Sequence, residues 1–200
     1  FRGEKPMSEQ LNLEKTALVL IDLQEGIVNR SQLEPYSKEE ILDKNDRLLD
    51  KFKNTAGLIV FVHVKNYGPE MLTPLTDTNI SASGPLPDNY SQFVSPLAYD
   101  EEVKNKIHVK KHNWGAFYGT DLDVQLRRRG IENIILTGVA TTIGCDTTAR
   151  EAYQHGYNVI AVEDAMTDFN GALHRGIVNG IFTRLGRVRS TEQVLKMIQD

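Results

Sequence analysis

Thr16-Ala-Leu-Val-Leu-Ile-Asp22 is the stretch that decides the fold class. An apolar run this continuous is expected of a strand buried on both faces, as in a parallel sheet covered by helices. Outward from it, Ser37-Lys-Glu-Glu40 has the form of a capping box, and Ile41, Leu48, Leu49 and Phe52 follow at helical spacing. Gly57-Leu-Ile-Val-Phe-Val-His-Val64 predicts a second strand and Lys106-Ile-His-Val-Lys110 a third. Thr120 then caps a helix that runs through Arg129 and stops at Gly130. Asn133-Ile-Ile-Leu-Thr137 is the next strand, followed by the turn Gly138-Val-Ala-Thr141 and a helix from Ile143 to Gln154. Tyr157-Asn-Val-Ile-Ala-Val162, a helix across Leu173 to Leu185, a short strand at Arg187-Val-Arg189 and a second capping box at Ser190-Thr-Glu-Gln193 complete the pattern.

Strand and helix alternate throughout, which predicts an α/β fold: a three-layer α-β-α arrangement around a doubly wound, mostly parallel sheet with right-handed crossovers. Residues 1–15 read as an N-terminal extension and 16–200 as a single domain. Phe1-Arg-Gly-Glu-Lys-Pro6 is charged where a signal peptide is apolar, and reads as an expression remnant ahead of a native start at Met7. Between Asn66 and Pro96 the pattern breaks, with Pro69, Pro74, Pro85, Pro87 and Pro96 in one long loop, expected to be a lid over the site or an oligomer contact.

Composition narrows the function classes. Apolar residues make up 40% and charged residues 25% of the 200, the balance of a globular protein. A net charge of −4 argues against a nucleic-acid partner. The basic cluster Arg127-Arg128-Arg129 sits at a helix end, where cations complement the helix dipole. One cysteine, Cys145, allows no intrachain disulfide, which fits a cytoplasmic protein. No apolar stretch approaches the ~18–20 residues of a membrane span. His63 and His108 fall within strands without a second ligand at useful spacing, so neither a metal nor another cofactor is expected.

In doubly wound sheets ligands sit beyond the carboxyl ends of the strands. Asp22, the Lys110–Trp114 segment, the Gly138–Cys145 turn and Glu163-Asp164 are the residues there. Asp22, at the rim of an apolar crevice, suits acid–base work, though a strand-end aspartate also caps turns. Lys111 at the same end would pair with it, or stand as a surface lysine. The Gly138–Ala149 turn leads into a helix N-terminus, a natural anion or oxyanion site, yet contains neither GxGxxG nor GxxxxGK[ST]. A thiol there would have a lowered pKa and could serve as a nucleophile.

Together, Leu18-Val-Leu-Ile-Asp-Leu-Gln24, Lys111 with Trp114-Gly-Ala-Phe-Tyr-Gly-Thr-Asp-Leu122, and Gly138-Val-Ala-Thr-Thr-Ile-Gly-Cys-Asp-Thr-Thr-Ala-Arg-Glu-Ala152 resemble the isochorismatase-like hydrolases, relatives of the cysteine amidases. The resemblance implies that Asp22 and Lys111 are catalytic, with Lys110 one place off. It implies that the Val139–Ala140 peptide is cis, and that Gln24, Trp114, Phe117, Val139, Ala140, Thr141 and Gly144 line a small-molecule substrate. It further implies a homo-oligomer, a dimer or tetramer. One departure stands out. The amidase branch has its nucleophilic cysteine where this chain has Gly144, and Cys145 follows one residue later. One residue on a helix is a ~100° rotation, so Cys145 should point away from the ground that Asp22 and Lys111 serve. Three readings follow: a hydrolase using Asp22 and Lys111 without a thiol, a cysteine amidase whose register brings Cys145 into the site, and a binding or scaffold protein without chemistry.

Overall fold

A computed structural model describes residues 9–29, 32–65, 74–78 and 85–198 of the chain. Thr16–Ile21 forms β1, buried along its whole length. The remaining strands are β2 (Leu58–Val64), β3 (Lys106–Lys111), β4 (Asn133–Val139), β5 (Asn158–Thr167) and β6 (Gly186–Arg189). They form one six-stranded sheet in the order β3-β2-β1-β4-β5-β6, and every neighbouring pair is parallel.

Alternation along β1 sends its side chains into two separate apolar layers. Leu18 and Leu20 join Ile59, Phe61, Ile135 and Ile160 on one face. That face is covered by α2 (Lys38–Phe52), through Ile41, Leu48, Leu49 and Phe52, and by α7 (Thr191–Met197), through Val194 and Met197. Ala17, Val19 and Ile21 join Val60, Val62, Ile134 and Leu136 on the other, under α3 (Leu122–Arg128) and α4 (Asp146–Gln154). Full burial of a Leu or Ile side chain contributes about 1.5–3 kcal/mol. The three-layer architecture is therefore the one its apolar pattern requires. Both capping boxes form, Ser37 with Glu40 ahead of α2 and Ser190 with Gln193 ahead of α7.

Three details differ from the sequence reading. A short helix, α1 (Glu25–Val28), follows β1 directly. The helix across Leu173–Leu185 is segmented into α5 (Gly171–Ile177), a π-helical stretch (Val178–Phe182) and α6 (Thr183–Leu185). The most consequential is β5, which does not end at Val162 but runs on to Thr167 past an irregularity opposite Leu136–Gly138. Glu163 and Asp164 look like the close of a strand because they are acidic. Their charges are used within the fold: Glu163 accepts from the Tyr36 hydroxyl at 2.7 Å, and Asp164 from Thr191 N–H at 2.6 Å and Thr191 Oγ1 at 2.8 Å. The residue that follows the strand is Asp168.

Candidate active site at the switch between β1 and β4

In an open parallel sheet the ligand crevice lies where the strand order reverses, beyond the carboxyl ends of the central strands. Here those strands are β1 and β4, whose ends meet where Ile21 pairs with Gly138. That pairing depends on glycine: Gly138 has φ of 124°, and a Cβ there would stand 2.1 Å from the Ile21 carbonyl oxygen.

Asp22 follows β1 directly and is 4% exposed. Its N–H bonds to the Val62 carbonyl at 3.0 Å, and the Gln24 N–H returns to its carbonyl at 2.8 Å. This sharp turn puts Asp22 at φ of 52°, a left-handed conformation that costs a non-glycine residue about 1–2 kcal/mol. Lys111 closes β3 and reaches across β2 to Asp22, its Nζ 2.8 Å from Asp22 Oδ2. The same ammonium donates to the Asn113 carbonyl at 3.0 Å. Lys110, on the opposite side of the strand, is exposed. Asp22 Oδ1 is buried and, among the described residues, meets no hydrogen-bond partner. Burial pushes the Asp22 carboxyl above the usual range, and the Lys111 ammonium opposes it. Removal of both charges from water costs several kcal/mol per ion, repaid only where the remaining polar atoms are satisfied. With Oδ1 unmatched, the pair is a poor device for stability and a suitable one for chemistry.

The turn after β4 supplies the other wall. The Val139–Ala140 peptide is cis, as the resemblance implies. A π-helical turn over Thr141–Cys145 leads into α4. Thr142 anchors that turn, donating from N–H at 2.6 Å and from Oγ1 at 2.8 Å to Asp168 Oδ2. Asp168 is itself fixed, accepting from Phe169 N–H through Oδ1 at 2.7 Å and exchanging backbone hydrogen bonds with Glu34. Thr141 Oγ1 lies 2.7 Å from His174 Nδ1, in a ring whose pKa burial lowers.

Gly144 and Cys145 part company here. A Cβ at Gly144 would stand 3.2 Å from Asp22 Oδ2, so position 144 faces the carboxylate. Cys145 is wholly buried among the side chains under α3 and α4, and its Sγ approaches the Thr137 carbonyl at 3.7 Å. The expected lowering of its pKa is reversed: burial, and then the Asp22 charge, push the thiol well above its ordinary value.

The remaining sequence candidates are divided. Val139 closes β4, and Ala140 and Thr141 open the turn that follows it, all three buried. Trp114 presents its backbone carbonyl to Gly144, while its side chain is exposed. Phe117 is buried, its ring stacked on His155 at 5.0 Å. Gln24 is wholly buried and its amide is taken up by backbone. Nε2 donates to Val64 O at 3.1 Å and Tyr90 O at 2.8 Å, and Oε1 accepts from Val64 N–H at 2.8 Å. Those bonds pin the end of the proline-rich stretch, over residues 85–96, across the tips of β1 and β2. His63 helps, stacked on Phe93 at 4.5 Å with Nδ1 2.7 Å from Ser91 O. Residues 66–73 and 79–84 of that stretch lie outside the described residues. Among the described residues no three His, Cys, Asp or Glu side chains converge as a metal cluster. Asp168 and His174 were not among the sequence candidates; Asp168 was hidden by the misplaced end of β5.

Comparison with known proteins agrees with the fold. Over 191 residues the chain is 41% identical to the uncharacterized isochorismatase family protein YwoC of Bacillus subtilis, covering 94% of this chain and 97% of that protein. It is 37% identical to the corresponding protein YecD of Escherichia coli O157:H7, covering 94% of this chain and 99% of that one. The solved structure of an isochorismatase family protein from Burkholderia thailandensis matches with a TM-score of 0.84 at 38% identity, covering 96% of this chain and 98% of that one. Residues 16–193, from the first residue of β1 into α7, match the isochorismatase domain, and the chain belongs to the isochorismatase family of hydrolases.

Proposed function

We propose that the protein is a hydrolase of a small enol-ether or carboxylate substrate, working through Asp22 and Lys111 without a cysteine nucleophile. The observation that carries this reading is the buried Asp22 carboxyl: Oδ2 is held by Lys111, and among the described residues Oδ1 has no partner. The held oxygen keeps the carboxyl in one orientation, and the free oxygen carries the proton. For an enol ether the steps balance as follows. Asp22 gives its proton to the vinyl carbon, leaving an oxygen-stabilised cation. Water adds to that cation and returns a proton to the Asp22 carboxylate. The resulting hemiketal collapses to a ketone and an alcohol, with the acid regenerated. Lys111 stabilises the carboxylate while it is ionised.

Against a role for Cys145 as nucleophile stand its burial and its raised pKa, both of which disfavour a thiolate. The test is turnover of a panel of enol ethers of small hydroxy acids and small amides. Asp22→Asn is expected to lower turnover of the best substrate at least ~100-fold, while Cys145→Ala retains most of it. Loss on Cys145→Ala with retention on Asp22→Asn would overturn the reading. Binding of panel members without product would favour a scaffold role.

A further inference from the structure

Two contacts fix the Lys111 ammonium, one to Asp22 Oδ2 at 2.8 Å and one to the Asn113 carbonyl at 3.0 Å. The second acceptor belongs to the loop that follows β3, not to the sheet. Lysine carries its charge on a flexible four-carbon stem, so the place of its ammonium is set by what holds its acceptors. The loop after β3 therefore decides how Lys111 sits on Asp22.

That loop is docked on α4. The Ala116 N–H donates to Thr148 Oγ1 at 3.1 Å, and the Phe117 N–H to Glu151 Oε2 at 3.2 Å. Thr148 and Glu151 share one face of the helix, at the i, i+3 spacing that brings side chains together. Thr148 is wholly buried, and Glu151 is half-buried against Gly115. A Cβ at Gly115 would stand 2.1 Å from Glu151 Oε2 and 2.6 Å from its Cδ, so the carboxylate fills the place that glycine leaves. Gly115 lies outside the left-handed region, so clearance is what glycine supplies there. The Thr141–Cys145 turn leads into the same helix. One element thus holds both walls of the crevice.

We propose that Glu151 is a positioning residue for Lys111. Its carboxylate fits against Gly115 and accepts from the Phe117 N–H, and so keeps the Asn113 carbonyl where the ammonium bonds it and Asp22 together. Glu151 acts on Asp22 only through the loop and Lys111. The inference deepens the reading of Asp22 and Lys111 as the reacting pair and rests on it.

The test is the carbon-13 titration of the Asp22 carboxyl in the full chain. Burial raises that pKa and the Lys111 ammonium opposes it, so a Lys111 freed from its place lets the midpoint rise. Glu151→Gln loses the charge but keeps an acceptor oxygen, whereas Glu151→Ala loses both. Gly115→Ala keeps Glu151 but puts a methyl where Oε2 stands, and the carboxylate, at the end of a flexible side chain, swings away. Relative to Glu151→Gln, Glu151→Ala is expected to raise the midpoint by at least about half a pH unit, a ~3-fold change in proton affinity. Gly115→Ala is expected to raise it as much in the unsubstituted protein, and by less than about 0.2 of a unit in the Glu151→Ala background, where the group it displaces is gone. A direct effect of the Glu151 charge has the opposite sign, since loss of a negative charge lowers a neighbouring carboxyl pKa. A smaller rise, a fall, or a full additional rise from Gly115→Ala in the Glu151→Ala background overturns the proposal. If Glu151→Ala does not fold, Gly115→Ala decides: a rise of that size supports the proposal, and an unmoved midpoint overturns it. The titration needs no turnover, so its failure is distinguishable from retention of activity by Asp22→Asn, which would remove the catalytic reading and leave the placing of Lys111 untouched.

Discussion

At Asp22 two opposing influences act on one carboxyl group. Burial raises its pKa, the Lys111 ammonium lowers it, and the direction that results is upward. As pH rises from the ordinary aspartate value to the raised one, the unfolded chain loses this proton while the folded chain keeps it. Within that window the folded state binds more protons, so this group's contribution to stability falls as pH rises. On the proposed reading of Asp22, the same window holds a loaded general acid. Turnover of an enol ether is therefore expected to fall as pH rises through the raised Asp22 pKa, in step with the carbon-13 shift of the Asp22 carboxyl. A rate that climbs across that range would assign Asp22 the role of a base. Asp22 and Lys111 are legible in the sequence because each sits at the end of a strand. The choice of Lys111 over Lys110 came from the resemblance, and alternation along β3 supplies its physical reason.

Between elements, the contact that matters most for the site is the one from β5 to the turn after β4. Asp168 holds Thr142 through two hydrogen bonds at the start of the π-helical turn that carries Gly144. Asp168→Ala is expected to leave the Thr142 donors without a partner and to cost about 1–3 kcal/mol of stability. Amide exchange should quicken at Thr142–Gly144 while Leu18–Ile21 stay protected; unchanged exchange at the turn would show that Asp168 does not hold it. This contact was not readable in advance. The apolar run of β5 is interrupted by Glu163 and Asp164, and nothing local reveals that Tyr36 and Thr191 satisfy them. By contrast β1, β2 and β4 were readable because uninterrupted apolar runs leave little choice, and α2 and α7 because their capping boxes are local. The direction of Cys145 was also legible, since one step along a helix turns a side chain by a fixed angle. Its raised pKa was not, because burial depends on what α3 and α4 cover.

Across the whole molecule, the thiol of Cys145 lies under the helical layer that includes α3 and α4, so a reagent reaches it only when that layer opens. Its alkylation in urea is expected to follow the loss of helical circular dichroism with the same midpoint, and rapid alkylation in native buffer would contradict that burial. The sheet order carries a consequence for how the chain reaches this state. β1, β2 and β3 are made first and can pair among themselves, but the second edge of β1 is reserved for β4, with Thr16 partnered by Asn133. Until β4 leaves the ribosome, the nascent chain presents a strand of mostly apolar side chains with one row of N–H and C=O groups unpaired, the kind of template on which chains associate wrongly. Closing so long a loop is also slow. The strand pair that creates the crevice is thus the one that exposes the growing chain longest, and Asp22 waits at its tip for a wall synthesised more than half a chain later.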